Sequence, residues 1–266
     1  MNILYLGDIV GAPGRQLIAD NLSNIRVKYD LDIVIAQAEN VSHGKGLSTS
    51  HYNELRSHGV DGFTGGNHTF ERPDTMRLVA DAGRAVTAPF NTLGRHFPIY
   101  KLISSPAGNV LVASIMGTVY PDKANDMFTN SLEAADEIVK IIDATQPVAS
   151  IVNIHGDLSS QKVVMGHYLD GKVTAVVGDH WHTPTADCRV LPAGTAHITD
   201  VGMCGKLDAS LGAKYEDVIS WWKTGKKTKL NIELTGPSQI NGVIVEVNPE
   251  NGLALSIQQL RIIIEE

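Results

Sequence analysis

The segment VVGDHWHTPTAD, residues 176–187, ends an apolar, β-branched run in two histidines one residue apart, His180 and His182. Imidazole carries protons near neutral pH and is a common nitrogen ligand of transition metals. Comparable side chains follow other apolar runs. Asp8 follows NILYLG, Glu39 and Asn40 follow LDIVIAQA, Asn67 and His68 follow DGFTGG, and His155 follows ASIVNI. Each has an ordinary reading alone: Asp8 as a helix N-cap, Glu39-Asn40 as a loop start, Asn67 after two glycines as a turn. Turn chemistry does not explain carboxylate, amide and imidazole at five strand ends together. With His68 set aside, Asp8, Glu39, Asn40, Asn67, His155, His180 and His182 supply two carboxylates, two amide oxygens and three imidazoles. The set exceeds one tetrahedral zinc site and lacks the thiolates of structural zinc. Mixed nitrogen and oxygen ligands suit Mn, Fe or Zn. With one ligand bridging, they fit two ions at about 3.5–4 Å, the spacing used in phosphoryl displacement. The expectation is a hydrolase site holding two divalent transition-metal ions, Fe or Mn ahead of Zn.

Convergence of these residues requires a particular scaffold. NILYLG reads as a strand, and residues from about Gly14 to Tyr29 follow with helical spacing. LDIVIAQ, VDGFTG, NVLVASIM, PVASIVNI and KVTAVVG read as further strands. Helices are expected at Ser50–Ser57, from Pro73 through Val79, at Ser131–Ala144 and near Lys162. Such alternation implies parallel pairing with helices on the sheet faces. In open α/β sheets, ligands bind beyond the carboxyl ends of the strands, where all these residues stand. Beyond about Thr195 the signal turns to β: AHITDV, KLNIEL, INGVIVEVN and LALSIQQLRIII. These predict a second, more antiparallel sheet. Without a linker, repeat or low-complexity tract, one domain over 1–266 is expected.

A net charge of -7 opposes a general nucleic-acid-binding surface, which needs a basic footprint. Two cysteines suit a reducing cytosol rather than a disulfide framework. No run approaches the roughly 18 apolar residues of a membrane span, and the start lacks a signal-peptide pattern. A soluble, cytoplasmic protein is expected, and a homo-oligomer is compatible with it.

GDIVGAPGR, AENVSHGKGL, GNHTF, AVVGDHWHTPTAD and GTAHITDVGMCG resemble the YmdB-like bacterial branch of the calcineurin-type metallophosphoesterases over nearly the whole chain. The resemblance implies an α/β four-layer sandwich: two mixed β-sheets packed together with helices on the outer faces. It also implies phosphodiester hydrolysis, with 2′,3′-cyclic nucleotides as substrates. It assigns one metal to Asp8, Asn40 and His182, the second to Asn67, His155 and His180, and the bridge to Glu39. Val10 stands where the broad superfamily has a histidine, a departure the branch shares. Two departures are this chain's own: GDLSSQK where relatives carry an AEATSEK-like run, and Thr118 where relatives often show arginine.

The mechanism then follows from two cations acting on water and phosphate. A bridging water becomes hydroxide near neutral pH and attacks in line, opposite the departing ribose oxygen. His68 adjoins Asn67 without being a ligand and is the expected general acid, contributing ~10²–10⁴-fold. In VSHGKGL, Gly44 and Gly46 would let backbone amides approach an anion, and His43 or Lys45 are weak candidates to meet phosphate. Asp200 is a candidate to orient a metal-bound histidine. Trp181 is expected to pack, and Trp221 and Trp222 to lie in the core or an interface. His51, His58, His96, His167 and His197 carry no motif and default to the surface or to the surroundings of the ligands. Other readings are a phosphomonoesterase or nucleotidase, and a regulatory protein using the site as a ligand sensor.

Overall fold

Residues 1–94, 99–120 and 122–265 are described in a computed structural model of the chain. In chain order the elements begin with β1 (Asn2–Leu6), β2 (Asp8–Ile9), α1 (Gly11–Lys28), β3 (Ile33–Gln37), α2 (Thr49–Ser57), β4 (Gly62–Thr64) and α3 (Pro73–Ala80). The middle holds β5 (Lys101–Ser105), β6 (Gly108–Met116), α4 (Ser131–Thr145), β7 (Ala149–His155), α5 (Ser159–Tyr168) and β8 (Ala175–Asp179). Last come β9 (Arg189–Val190), β10 (Ala196–Ile198), β11 (Met203–Lys206), α6 (Tyr215–Thr224), β12 (Ser238–Val247) and β13 (Ala254–Ile264).

The strands form two mixed sheets. The first runs β2-β11-β12-β1-β3-β4, with β13 pairing along β12; the second runs β5-β6-β7-β8-β10-β9. Alternation within each strand builds the layers. In β1, Ile3 and Tyr5 enter a core shared with Val110, Val112, Ile151 and Val177 of the second sheet. Leu4 and Leu6 face the opposite way and pack with Ile18, Leu22 and Ile25 of α1. On the other outer face Ala134, Ala135 and Ile138 of α4 meet residues of β6 such as Leu111 and Ala113. The result is helix, sheet, sheet, helix. Both faces of the central parallel strands are covered, so β3, β7 and β8 are buried at every position.

Two expectations fail. The C-terminal strands do not make a sheet of their own. β12 pairs antiparallel with β1 and completes the first sheet, whereas β10 joins β8 in the second. KLNIEL forms no strand; within it Ile232 makes one isolated bridge to Ala213. Periodicity reports which face of a strand is apolar but not which neighbour it takes.

Candidate metal centre

The strands deliver their terminal side chains to one seam between the two sheets. Asp8 opens β2 just beyond β1, Glu39 and Asn40 leave β3, and Asn67 opens the turn after β4. His155 ends β7, and His180 and His182 follow β8 in the second sheet. His155 Nε2 lies 2.8 Å from Asn67 Oδ1, 3.2 Å from Glu39 Oε1 and 3.0 Å from His180 Nδ1. Donor atoms of Glu39, His155 and His180 all lie within 4.8 Å of one another. Beside them, Asn40 Nδ2 donates to Asp8 Oδ1 at 2.9 Å and to Glu39 Oε1 at 3.3 Å. His182 Nε2 points into the same group, 3.7 Å from Asp8 Oδ1. Glu39 stands between the halves, and its Oε2 accepts the His68 backbone N–H at 2.9 Å.

The chain also fixes which ring nitrogen faces inward. Asp179, buried at the end of β8, takes His155 Nδ1 at 2.6 Å and leaves Nε2 for the centre. Its other oxygen accepts from Tyr5, Gln37 and Asn153. Asp157 holds His180 Nε2 at 3.1 Å, freeing Nδ1. The Leu211 carbonyl accepts from His182 Nδ1 at 2.9 Å, freeing Nε2. Partners of this kind set tautomer and orientation in metal sites. None of the three was anticipated, although Asp179 directly precedes His180 and Asp157 stands two residues after His155.

The loop bearing His180 and His182 is held in an unusual conformation. Both have positive φ, 109° and 60°, which side-chain-bearing residues adopt at a cost. Between them, Trp181 N donates to Asp200 Oδ2 at 2.8 Å. Asp200 also pairs with buried Lys162 at 3.0 Å, and Lys162 Nζ sits 4.0 Å from the Trp181 ring centroid. Asp200 therefore does not orient a histidine. It is the anchor of the loop, and a buried lysine needs it as counterion.

Electrostatics divide the donor set. Burial, then the charges of Asp179 and Glu39, raise the Asp8 carboxyl well above its ordinary range. Burial opposes a charge on His155, yet Glu39 and Asp179 outweigh it and raise that imidazole. Burial acts upward on Glu39 too, but His155 and the His68 amide hold it low. Burial followed by the His155 charge pushes His180 down to about 4, and burial lowers His182. A metal requires neutral imidazoles and ionised carboxylates, so Glu39, His180 and His182 stand ready, while Asp8 and His155 would give up protons on loading. Asp8 Oδ2 is buried without any hydrogen-bond partner. A Cβ added at Gly66 would lie 2.4 Å from Glu39 Oε2 and 2.5 Å from His155 Nε2, so glycine keeps this space open. An orphaned buried carboxyl oxygen, a nitrogen–oxygen donor set and an open cradle fit divalent cations.

His68 lies beside the centre. Its Nδ1 meets Glu71 Oε1 at 2.5 Å, and Glu71 also pairs with Lys45. Lys45 thus reaches the site only through Glu71, a residue missed in the sequence although it stands three positions after His68. The amides of Gly44 and Gly46 are not turned to an anion; they close their own loop on the carbonyls of Asn40 and Glu39. Thr118 is taken up by Gln161, whose Oε1 accepts the Thr118 N–H at 2.7 Å and whose Nε2 donates to the hydroxyl at 3.0 Å. The two departures from the family pattern therefore meet in space. Of the motif-free histidines, His197 is buried beneath α5 and unrelated to the centre; His96 lies outside the described residues.

The sequence profile of YmdB-like proteins matches residues 4–260. A 2′,3′-cyclic-nucleotide 2′-phosphodiesterase of Bacillus subtilis is 32% identical over 265 residues, covering 98% of this chain and 97% of the relative. A solved structure described as a novel phosphatase of Mycoplasma pneumoniae superposes with a TM-score of 0.90 at 30% identity, covering 100% of this chain and 94% of the other. A hypothetical protein of Thermus thermophilus superposes with a TM-score of 0.88 at 28% identity, covering 99% and 100%.

Proposed function

The chain belongs to the YmdB-like protein family, and from that membership we propose that it is a metal-dependent phosphodiesterase opening small diesters, 2′,3′-cyclic nucleotides above all. The observation that carries this reading is the placement of Glu39 between two donor groups. Asn67, His155 and His180 would hold one ion, Asp8, Asn40 and His182 the other, with Glu39 shared. Asn40 would ligate through its amide oxygen and so present the opposite side of the amide from the one now facing Asp8. Two divalent ions held there, Fe or Mn by preference, would supply an activated water and neutralise charge on the phosphate.

The remaining work falls to the chain. Asp179, Asp157 and the Leu211 carbonyl keep three imidazoles aimed and in one tautomer. Glu71 holds His68 Nδ1, so Nε2 is the atom that hands a proton to the leaving ribose oxygen. Directly after Asn67, and with its backbone N–H on Glu39, His68 would carry that proton beside the centre without serving as a ligand. The test compares bis-(p-nitrophenyl) phosphate with the monoester, and 2′,3′-cyclic with 3′,5′-cyclic nucleotides, in protein reconstituted with Mn or Fe. Diester hydrolysis well above monoester hydrolysis, and opening of the 2′,3′ ring, are expected. Faster phosphate release from nucleoside monophosphates than from any diester would make it a nucleotidase instead.

A further inference from the structure

Between β11 and β12 the chain makes an excursion that the metal centre does not explain. It touches the centre through the Leu211 carbonyl on His182, yet α6 within it has no buried residue. Trp222, expected in a core or interface, is 79% exposed. Residues 223–229 read KTGKKTK, so Lys223, Lys226, Lys227 and Lys229 concentrate positive charge in a chain of net charge -7. All four are exposed.

The excursion also walls a cavity of about 590 Å³, within the usual range for ligand sites. Ala12, Pro13, Leu230, Ile232 and Leu234 give it an apolar floor, and His43, Lys214 and Lys229 border it. It adjoins the metal centre. Gly11, at +59° in φ, donates its N–H to the Asn40 carbonyl, and an added Cβ there would lie 2.5 Å from Ile232 Cδ1. Glycine thus lets the excursion close directly over the Asp8–Asn40 side.

An apolar floor bordered by Lys214 and Lys229, with three more exposed lysines just before Lys229 in the chain and a site for one phosphodiester next to it, matches a chain of further nucleotides. We propose that this cavity and the 223–229 segment bind the nucleotides preceding the cyclic end of a single-stranded oligoribonucleotide, so that such ends, rather than free cyclic mononucleotides, are the preferred substrate class. The floor, which is aliphatic, takes a base by apolar contact, as apolar side chains do around an extruded base. The lysines take internucleotide phosphates. This extends the phosphodiesterase reading above and rests on it. The footprint is local, which reconciles it with an acidic chain overall.

The experiment uses the full chain, metal-loaded. Turnover of an oligoribonucleotide with a 2′,3′-cyclic end is compared with that of the cyclic mononucleotide, and binding of a fluorescent 3′-phosphorylated oligoribonucleotide is followed by anisotropy. Wild type should favour the oligonucleotide in kcat/KM by about tenfold or more, the value of one stacked base. In a Lys226→Glu, Lys227→Glu, Lys229→Glu variant, with its thermal midpoint checked against wild type, that ratio should fall towards unity. Its binding should lose about 2 from the salt slope, at ~0.7 per phosphate released. Leu234→Asp should raise KM for the oligonucleotide by about tenfold. A wild-type ratio near unity, or unchanged binding in the triple variant, overturns the proposal. Lysine-dependent binding to phosphatidylserine vesicles without oligonucleotide binding overturns the choice of partner. If no diester is turned over at all, the phosphodiesterase reading fails, while anisotropy still decides this one.

Discussion

Asp179→Asn separates the support of the centre from the centre itself. The side chain is buried and serves four groups: His155 on one oxygen, and Tyr5, Gln37 and Asn153 on the other. An amide can keep three of them by turning its oxygen to the three donors. Its NH₂ then faces His155 Nδ1, which must become an acceptor, and the ring proton moves to Nε2. That nitrogen is the one facing Asn67, Glu39 and His180. A ligand is thereby blocked without being removed. The lost charge-assisted bond costs about 1.5–3 kcal/mol, equivalent to a drop of roughly 3–12 °C in Tm for a chain of this size. Metal affinity should fall about 10–100-fold, the span for residues that orient ligands. Thermal melts in chelator measure the first effect, and competitive titration with a chelating dye measures the second. If Tm falls while metal affinity stays within about threefold of wild type, Asp179 supports the fold alone and the tautomer argument is wrong.

Three further outcomes are expected. Glu39→Ala should cut both metal content, close to two ions per chain in wild type, and turnover together; elemental analysis showing full occupancy in the variant would refute the bridge. His68→Ala should keep its ions and lose ~10²–10⁴ in turnover of a ribose diester, but less with a p-nitrophenolate leaving group, which needs little protonation. Equal losses on both substrates would mean that His68 stabilises phosphate charge. Metal-free protein should lose stability as pH rises above the ordinary imidazole value of ~6.5. Asp8 and His155 bind protons more tightly folded than unfolded, so their contribution disappears as pH climbs through their raised values. The lowered His180 and His182 act oppositely, but only below the ordinary imidazole range. Urea titrations in chelator showing the reverse slope would refute this, whereas added Mn should reverse it, because its ligands must be deprotonated.

What could be read in advance was set by local chemistry. Strand-helix alternation forces carboxyl ends to one side, so Asp8, Glu39, Asn67, His155 and His180 had to be neighbours if the sheets faced each other. The choice of ring nitrogen was not legible, because it depends on Asp157, Asp179 and a main-chain carbonyl brought from 29 residues away. Asp200 misled because its partner Lys162 is a lysine in a helix, ordinarily a surface residue, here turned inward. α6 was missed although Tyr215, Val218, Ile219 and Trp222 recur at i, i+3, i+4 and i+7, a stripe that here buries none of its side chains. KLNIEL alternates like a strand, but its alternation serves a cavity wall.

The centre draws Asp8, Glu39, Asn40 and Asn67 from one sheet and His155, His180 and His182 from the other. A cation there would rivet two halves that otherwise adhere through apolar side chains and a few buried hydrogen bonds, such as those from Tyr5 and Gln37 to Asp179. The donors come from both sheets and meet only where these dock, so a bound ion would strengthen contacts between the sheets rather than within either. Loading should consequently slow unfolding far more than it speeds folding, and the lifetime of the native chain under proteolysis becomes a measure of metal supply.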